Sequence, residues 1–372
     1  MKILITAGAV YGRLDDNKLV SNRSRGIWAM AYAEHLVEQG HEVHLLVPDT
    51  LVLPDSMAQV QCNVLRHAGF ADYRRVCNIV APKVDAAVMA AAVVNWIPAD
   101  PIVGKMATKG FKPGDIQQIP FVLAPHVIDE MKKLNPNLTL IGCKMTSGAN
   151  LDDLVEAAYE TLLRAHCNVV VGNDLRGLKQ KFLVYCDRTV QAFQVYDPAF
   201  FATLDAVLAD EHYHTRGFPA LNVGAPAIFD RIVDKYRAKF VQKSGRVFGA
   251  VCVPLGPQIT STCWVSPREK GQAFTSEDAV KIDDIAHRMI SAVGPAKPTL
   301  NAPLLCRVAQ KYGKPVLHLH EFAAGAPYVP YAPPGTVRDN DRAIPGPVFN
   351  IEGHGMIAAL DWKTLEISYG NG

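Results

Sequence analysis

The alternation of apolar and polar stretches at the start of the chain predicts a strand, a helix and a second strand. Ile3–Thr6 is an apolar run of strand length. Residues 27–38 place apolar side chains at helical spacing, and Gly40 supplies a C-terminal stop. His41–Val47 is again rich in apolar residues. Because alternation of this kind continues to about residue 195, we expect a doubly wound parallel sheet with helices on both faces.

Three further patterns support a parallel sheet in this half. The near-continuous apolar run Asp85–Val94 predicts a central strand that is buried on both faces and ends at Asn95. Leu151–His166 is an amphipathic helix by its spacing. Phe182–Tyr185 and Val190–Phe193 predict an antiparallel pair that closes the sheet.

The second half is also predicted to be α/β, with a different order of elements. We expect helices at Ala225–Phe240, at Thr275–Met289 and at Asn301–Gln310, and strands at Val247–Val253, at Ile259–Trp264 and at Pro315–His320. The helix at Thr275 is predicted because Thr-Ser-Glu-Asp combines a cap with acidic residues. The domain boundaries that follow are 1–197 for the first domain, 198–219 for a linker and 220–372 for the second domain.

Composition narrows the function classes. The 372 residues fit two domains, and 38 basic against 36 acidic residues give a net charge of +2, which argues against nucleic acid or an anionic membrane as a partner. The eight cysteines form no Cys-x-x-Cys pair, so they are expected to be reduced thiols of a cytoplasmic protein. No signal-peptide pattern is present, and the longest apolar run, Ala86–Val94, is too short to span a bilayer.

The segment after the first strand has the layout of an anion site. Ala7 and Gly8 form a small-residue turn, and a polar loop containing Asn22 and Ser24 leads to Gly26, where the helix opens. Free N–H groups at such a helix start point at an anion, which favours phosphate binding. The dinucleotide fingerprint and the Walker lysine motif are absent. The alternative interpretation is an ordinary first strand and helix of a doubly wound sheet.

Several short motifs occur in an order that is more specific than any one of them. They are Ile5–Gly8, Val20–Gly26, Ala90–Trp96, Lys105, Ile141–Cys143 and Gly172–Asp174. Together they resemble the phosphopantothenate–cysteine ligase family, which is also described as the C-terminal part of the DNA/pantothenate metabolism flavoproteins, over residues 1–195. The resemblance implies a Rossmann-like fold.

This resemblance implies nucleotide-dependent amide formation. A small-molecule carboxylate would attack the α-phosphate of CTP or ATP, with Mg²⁺ present, and an amine would then displace the nucleotide. Asn22 would hold the acyl intermediate, and Lys105 would stabilise negative charge. Residues implied in nucleotide binding are Ala7, Gly8, Ser24, Gly26, Asn95, Gly142 and Asn173. The alternatives are a helix-capping role for Asn22 and a solvated loop position for Lys105.

Six positions depart from the ligase pattern, of which the first three are Ala9 in place of the turn's third glycine, Arg25 in place of the second serine and Ile27 in place of a lysine. Asn95 stands where the family has an aspartate, and Thr161 and Ala165 stand where it has lysines facing the triphosphate. These departures leave the nucleotide preference and the activity open.

Three histidines in the second half have the spacing of a metal site. His318 and His320 lie two apart on a predicted strand and therefore face the same side, and His354 follows later. With the segments around residues 259–278, they resemble the class II aldolase/adducin family over residues 220–361. The resemblance implies an α/β domain that holds zinc or another divalent metal. Asn301 stands in place of the family's acid, which Glu321 or Glu352 could replace. The alternative is a purely structural role for the histidines.

Three functions are compatible with these features. We favour a nucleotide-dependent carboxylate–amine ligase that acts in a specialised biosynthetic pathway. The first alternative is a metal-dependent lyase, epimerase or decarboxylase acting on a small phosphorylated or carboxylated substrate. The second is a binding protein whose sites have lost their activity. Both family resemblances imply a homo-oligomer.

Overall fold

The structure, a computed structural model, describes residues 1–59, 61–194, 197–242, 244–255 and 262–366. The chain divides into two compact units, unit 1 (Met1–Ala209) and unit 2 (Asp210–Gly372). Within the described ranges, no helix is both long enough and apolar enough to cross a membrane.

Within the described residues, unit 1 contains an eight-stranded main sheet and three two-stranded sheets. Its strands are β1 (Lys2–Thr6), β2 (Ala9–Val10), β3 (Gly12–Arg13), β4 (Leu19–Val20), β5 (Glu42–Pro48), β6 (Asn63–His67), β7 (Ala86–Met89), β8 (Ala92–Val93), β9 (Trp96–Pro98), β10 (Phe121–Leu123), β11 (Thr139–Thr146), β12 (Val169–Asp174), β13 (Gln180–Tyr185) and β14 (Val190–Gln194). Its helices are α1 (Ile27–Glu38), α2 (Asp55–Gln59), α3 (Phe70–Val80), α4 (Ile128–Leu134), α5 (Leu151–Ala165) and α6 (Pro198–Ala209), with a 3₁₀ turn at Ala81–Lys83.

The order of the main sheet is β14-β13-β12-β11-β7-β1-β5-β6. The strands from β12 to β6 pair in parallel, and β13 and β14 are antiparallel. Its central strands are apolar and buried along their length. This is the composition expected of a parallel sheet that helices cover on both faces. The predicted doubly wound parallel sheet and its closing antiparallel pair are therefore confirmed.

The predicted strand Asp85–Val94 is wrong in its second half. Strand β7 ends at Met89, and the chain then leaves the main sheet. The backbone N–H of Ala91 donates to the Thr6 hydroxyl at 3.1 Å, and that of Ala92 donates to the Gly8 carbonyl at 2.9 Å. These bonds redirect the apolar run toward the turn after β1, so that β8 pairs with β2 instead.

Unit 2 contains a nine-stranded mixed sheet. Its strands are β15 (His214–Pro219), β16 (Ala250–Pro254), β17 (Cys263–Val265), β18 (Val280–Ala286), β19 (Met289–Gly294), β20 (Val316–Leu319), β21 (Tyr328–Val329), β22 (Val348–Ile351) and β23 (Gly355–Ala359). Its helices are α7 (Ile228–Phe240), α8 (Ala302–Tyr312), α9 (Val337–Asp341) and α10 (Trp362–Glu366), with a 3₁₀ turn at Ser276–Asp278.

The order of this sheet is β15-β19-β18-β17-β16-β20-β23-β22-β21, and the β15–β19 and β21–β22 pairs are parallel. Its two faces have separate cores. Ala250 and Cys252 of β16 pack with residues of α8, whereas Val251 and Val253 pack with residues of α7. The sheet therefore lies between these two helices, which confirms an α/β character. The finer expectation of a class II aldolase-like domain stays a prediction.

The helix predicted at Thr275–Met289 is wrong. The capping signature is real: the Thr275 side chain accepts a bond from the Glu277 N–H, and the Asp278 side chain accepts one from the Thr275 N–H. The turn ends after Asp278, because the next residues alternate with period two. Val280 and Ile282 are buried in the α8-side core, so this segment forms β18 instead of a helix.

Two other predicted segments differ from the structure. Residues 198–219, expected as a linker, contain α6, whose Phe200 and Leu204 join the core of unit 1, and β15, which pairs with β19 in unit 2. The strand predicted at Ile259–Trp264 lies partly outside the described residues, and β17 begins at Cys263.

We predict that Gly355→Ala destabilises the protein far more than Gly353→Ala. Both glycines have positive φ, at 130° and 66°. A Cβ on Gly355 would lie 2.1 Å from the Leu319 carbonyl oxygen, whereas a Cβ on Gly353 would meet nothing within 4 Å. Gly353→Ala should cost about 1–2 kcal/mol from its backbone conformation alone, and Gly355→Ala about 3 kcal/mol or more. Chemical denaturation of both variants measures the difference; equal losses would contradict this packing.

Candidate functional site

The turn after β1 is closed by a backbone contact that glycine alone permits. Gly8 and Gly26 both have positive φ, at 81° and 68°. A Cβ on Gly26 would lie 2.4 Å from the Gly8 backbone nitrogen, so no other residue fits there without moving the chain. Ala7 is fully buried beside them. The predicted turn residues Ala7, Gly8 and Gly26 are thus brought together at the start of α1.

Asn22 is held beside this turn by its side chain. Its amide Nδ2 donates to the Ala92 carbonyl at 3.1 Å, and the Ala92 N–H donates to the Gly8 carbonyl at 2.9 Å. Helix α1 has Gly26 as its N-cap and no side-chain capping bond. Asn22 therefore does not cap this helix, and that alternative interpretation of Asn22 is excluded. An amide nitrogen carries two hydrogens, so the second remains available to a ligand.

A cleft of about 490 Å³ opens beside Asn22. It is lined by Val20, Asn22, Val94, Asn95, Trp96 and Phe121. Its volume lies in the range of small-molecule sites. Trp96 and Phe121 are 57% and 40% exposed, which is unusual for large aromatic side chains. The structure thus brings Asn22 and Asn95 to one cleft and adds an aromatic wall, which the sequence analysis missed.

Lys105 lies on a loop tied to a buried carboxylate. Asp15 is 1% exposed, and its side chain accepts bonds from the N–H groups of Met106, Asn17 and Lys18 at 2.9, 2.7 and 2.6 Å. The bond from Met106, followed by that from Asn17, holds the pKa of the Asp15 carboxyl below its usual range. Lys105 is exposed and is not among the described residues that line the cleft.

The remaining predicted binding residues of unit 1 have different surroundings. Gly142 is buried in β11, where a Cβ would lie 2.9 Å from the Cys167 sulfur, so the position has little room for a side chain. Asn173 at the end of β12 accepts a bond from the Lys181 Nζ at 2.9 Å. Ser24 is half-buried in the loop before α1.

Lys181 is a cation that the sequence analysis missed. Its ammonium lies 4.9 Å from the centre of the Trp28 ring in the first turn of α1. Burial lowers the pKa of Lys181. Thr161 and Ala165, which replace the ligase family's lysines, are 6% and 1% exposed and contribute no charge there. Lys181 therefore supplies positive charge at the carboxyl edge of the sheet, near the start of α1.

The three predicted histidine ligands of unit 2 converge. Nitrogen atoms of His318, His320 and His354 all lie within 4.8 Å of one another, and their ring centres are 4.8–5.0 Å apart. His318 is fully buried on β20, and His354 lies in the turn between β22 and β23. The alternate spacing on one strand and the following hairpin therefore produce the trio that the sequence predicted.

The protonation of this trio suits cation binding. His318 Nδ1 lies 3.0 Å from the Met356 carbonyl, which orients Nδ1–H as a donor and leaves Nε2 as an acceptor. Nε2 of His318 and of His354 are buried and have no hydrogen-bond partner among the described residues. Burial, reinforced by the neighbouring histidines, lowers the pKa of His318 to about 3 and that of His354 to about 4. Neutral rings with a second nitrogen held by a carbonyl are the form in which histidine binds metals.

A second cleft, of about 450 Å³, adjoins the trio. It is lined by Tyr331, Glu352, Gly353 and His354. Glu352 therefore lies beside the histidines, whereas Glu321 forms an ion pair with Lys239 at 2.5 Å. Asn301 is buried at the start of α8, and its Oδ1 has no hydrogen-bond partner among the described residues.

The parallel sheet, the glycine turn after its first strand and the adjoining cleft define unit 1 as a doubly wound α/β domain with a ligand-sized site. The family described as the DNA/pantothenate metabolism flavoprotein C-terminal domain matches residues 1–192. Because that match covers more than half of the chain, the protein belongs to this family.

Two curated relatives are each called coenzyme A biosynthesis bifunctional protein CoaBC. The Thermococcus kodakarensis protein is 29% identical over 175 residues, which are 47% of this chain and 41% of the relative. The Mycolicibacterium smegmatis protein is 30% identical over 177 residues, which are 46% of this chain and 42% of the relative. The chain thus spans about two fifths of the length of these relatives. A solved DNA/pantothenate metabolism flavoprotein from Streptococcus pneumoniae is similar with a TM-score of 0.48 and 20% identity, over 56% of this chain and 99% of that one.

We predict that Asp15→Asn frees the Lys105 loop. Ionised Asp15 contributes its stabilisation above the carboxyl's unfolded pKa, about 3.9, and loses it as pH falls through the lowered folded pKa. In the wild type, protection of the Met106 amide, which donates to Asp15, should therefore persist down to about pH 4. In Asp15→Asn it should be weak at every pH. Hydrogen exchange followed by mass spectrometry measures both.

The matched control for this prediction is Asp115→Asn. Asp115 also accepts a backbone bond, from the Lys112 N–H at 2.6 Å, but it is exposed and farther along the same loop. This variant should leave the Met106 amide protected. Unchanged exchange in Asp15→Asn would show that the carboxylate does not hold the loop.

Proposed function

We propose that unit 1 is a nucleotide-dependent carboxylate–amine ligase of the phosphopantothenate–cysteine ligase type. The observation that supports this most directly is the Asn22 amide, anchored to Ala92 beside the Gly8 turn and facing a ligand-sized cleft. Membership of the family that matches residues 1–192 supports the same reaction class. The coenzyme A biosynthesis relatives make 4′-phosphopantothenate and cysteine the first substrates to test.

In the proposed reaction a carboxylate oxygen attacks the α-phosphorus of CTP or ATP. The bond to the β-phosphate breaks, and pyrophosphate leaves, accompanied by Mg²⁺. An amine then attacks the acyl carbon, the acyl–phosphate bond breaks, and the nucleoside monophosphate departs as the amine loses a proton. Both anions must approach each other in the first step, so donors and cations near the reacting oxygens lower its barrier.

Different residues of this chain would bind the acyl group, the phosphates and the nucleotide base. The free N–H of the Asn22 amide would donate to the acyl oxygen without titrating. Backbone N–H groups at the Gly8 turn and the first turn of α1 would face the phosphates. Lys105 would add a positive charge from its tethered loop. The exposed Trp96 ring would stack on the nucleotide base, since every base presents a flat apolar face.

We predict that Asn22→Asp and Lys105→Met each lower the rate of pyrophosphate release by about 10²–10³-fold, which is the usual effect of losing one charge-stabilising donor. Asn22→Asp preserves shape but puts a negative charge beside the reacting anions. The assay combines CTP or ATP, Mg²⁺, 4′-phosphopantothenate and cysteine. Lys109→Met, which removes a lysine from the same exposed loop, is the control and should retain activity.

Two results would argue against the ligase. One is the absence of nucleotide binding by calorimetry. The other is pyrophosphate release that Asn22→Asp leaves at the wild-type rate.

The histidine trio supports a second candidate function, a metal-dependent lyase, epimerase or decarboxylase in unit 2. His318, His320 and His354 would hold zinc or another divalent cation, which would polarise a carbonyl or enediolate oxygen of the substrate. The buried Nε2 atoms of His318 and His354, which have no hydrogen-bond partner among the described residues, are suitable ligands for such a cation. Glu352 would be the nearest candidate base, because it lines the same cleft as His354.

We predict that His320→Ala lowers bound Zn²⁺ by about one equivalent per chain, because a three-ligand site rarely survives the loss of one ligand. His320 is exposed at the end of its strand, so the change should leave the fold intact. His126→Ala, an exposed histidine of unit 1, is the control and should bind as the wild type. Metal analysis after dialysis measures both; equal zinc content in the wild type and His320→Ala would refute the histidine site.

A further inference from the structure

Three cysteines that are far apart in sequence meet in the core of unit 2. Cys252 comes from β16, Cys263 from β17 and Cys306 from α8. Their sulfur atoms all lie within 4.8 Å of one another, and all three residues are at most 1% exposed. The three elements that meet there are two neighbouring strands and the helix that covers them. The set is independent of the histidine trio and of the function proposed for unit 1.

We propose that Cys252, Cys263 and Cys306 form a structural site for a soft divalent cation of the zinc class. Three sulfurs that lie about 2.3 Å from a cation in the tetrahedral arrangement zinc prefers are about 3.8 Å from one another. The sulfurs of Cys252 and Cys306 are 3.9 Å apart. The other two sulfur–sulfur distances are at most 4.8 Å, so each has to shorten by no more than about 1 Å to accept the cation.

A disulfide fits this arrangement less well. A sulfur–sulfur bond is about 2.05 Å long, so Cys252 and Cys306 would have to approach each other by nearly 2 Å. Packing in this core opposes such a movement, because Cys252, Cys306 and their neighbours Ala302 and Val308 are fully buried.

The charge balance of an apolar core favours a divalent cation. Three protonated thiols are neutral. When one divalent cation replaces two protons, two sulfurs become thiolates, the third completes the ligand set, and the core stays neutral. Thiolate sulfur also prefers zinc-class ions over magnesium or calcium.

The location gives the site a structural role. Two of the sulfurs come from strands of the sheet and the third from the helix that covers one of its faces, and all three are buried away from any substrate. Cys252 pairs with Val316 on β20, two residues before His318. A cation there would join α8 to β16 and β17, and β16 pairs with β20, the strand that carries His318.

The test uses the full reduced chain, stripped of metal and titrated with Cd²⁺ and with Zn²⁺. The background carries His320→Ala, so that the histidine trio does not contribute. We expect one equivalent of Cd²⁺ to produce thiolate-to-metal charge-transfer absorption in the ultraviolet, with at least two protons released per cation. Cys306→Ala should abolish this absorption. Cys167→Ala, which removes a buried cysteine of unit 1, should leave it unchanged.

X-ray absorption on the zinc-loaded His320→Ala chain decides the question even if Cys306→Ala fails to fold. Sulfur neighbours at about 2.3 Å support the site. A shell of nitrogen and oxygen alone, or charge-transfer absorption that persists in folded Cys306→Ala, overturns it.

Discussion

The close approach of Gly26 to the Gly8 nitrogen fixes the geometry of unit 1. A Cβ at Gly26 would stand 2.4 Å from that nitrogen, so α1 can begin against the turn after β1 only because Gly26 has no side chain. The Gly8 carbonyl then accepts the Ala92 N–H, and the Ala92 carbonyl accepts the Asn22 amide. The position of Asn22 at its cleft thus depends on a contact between two glycines.

Unit 2 depends on a different constraint, the antiparallel pairing of β20 with β23. Leu319 pairs with Met356, and a Cβ on Gly355 would lie 2.1 Å from the Leu319 carbonyl oxygen. This pairing brings the turn that contains His354 beside the end of β20, where the ring centres of His354 and His318 are 4.8 Å apart. Val316, two residues before His318 on β20, packs in the same core as the cysteine cluster, so His318 and the cysteines lie on the same face of the sheet. Candidate metal ligands of unit 2 therefore share one face of its nine-stranded sheet.

The structural features that depend on neighbouring residues along the chain could be predicted from the sequence. The opening strand–helix–strand unit follows from hydrophobic spacing, and the histidine trio follows from the two-residue period of a strand. The pattern at Thr275 was misleading because a capping signature controls one turn and not the residues beyond it. Val280 and Ile282 follow the two-residue period of a strand, and this segment therefore forms β18 although a capping signature precedes it.

The features that were missed depend on tertiary contacts. The cysteine cluster joins residues from two strands and a helix, and nothing in their spacing indicates that they meet. Trp96 and Phe121 form a wall because β9 pairs with β10, a contact across a loop of more than twenty residues. Lys181 reaches the start of α1 through the antiparallel strand that closes the sheet. Single-residue motifs cannot reveal such convergence.

The central claim is that the turn at Gly8 and the Asn22 amide receive the reacting phosphate and acyl groups. A crystal structure of the full chain grown with CTP, Mg²⁺ and 4′-phosphopantothenate tests it most directly. Our account predicts that a phosphate lies within hydrogen-bond distance of the backbone N–H groups between Gly8 and the first turn of α1, with the acyl group at Asn22. A nucleotide bound elsewhere, with the Asn22 cleft empty, would contradict it.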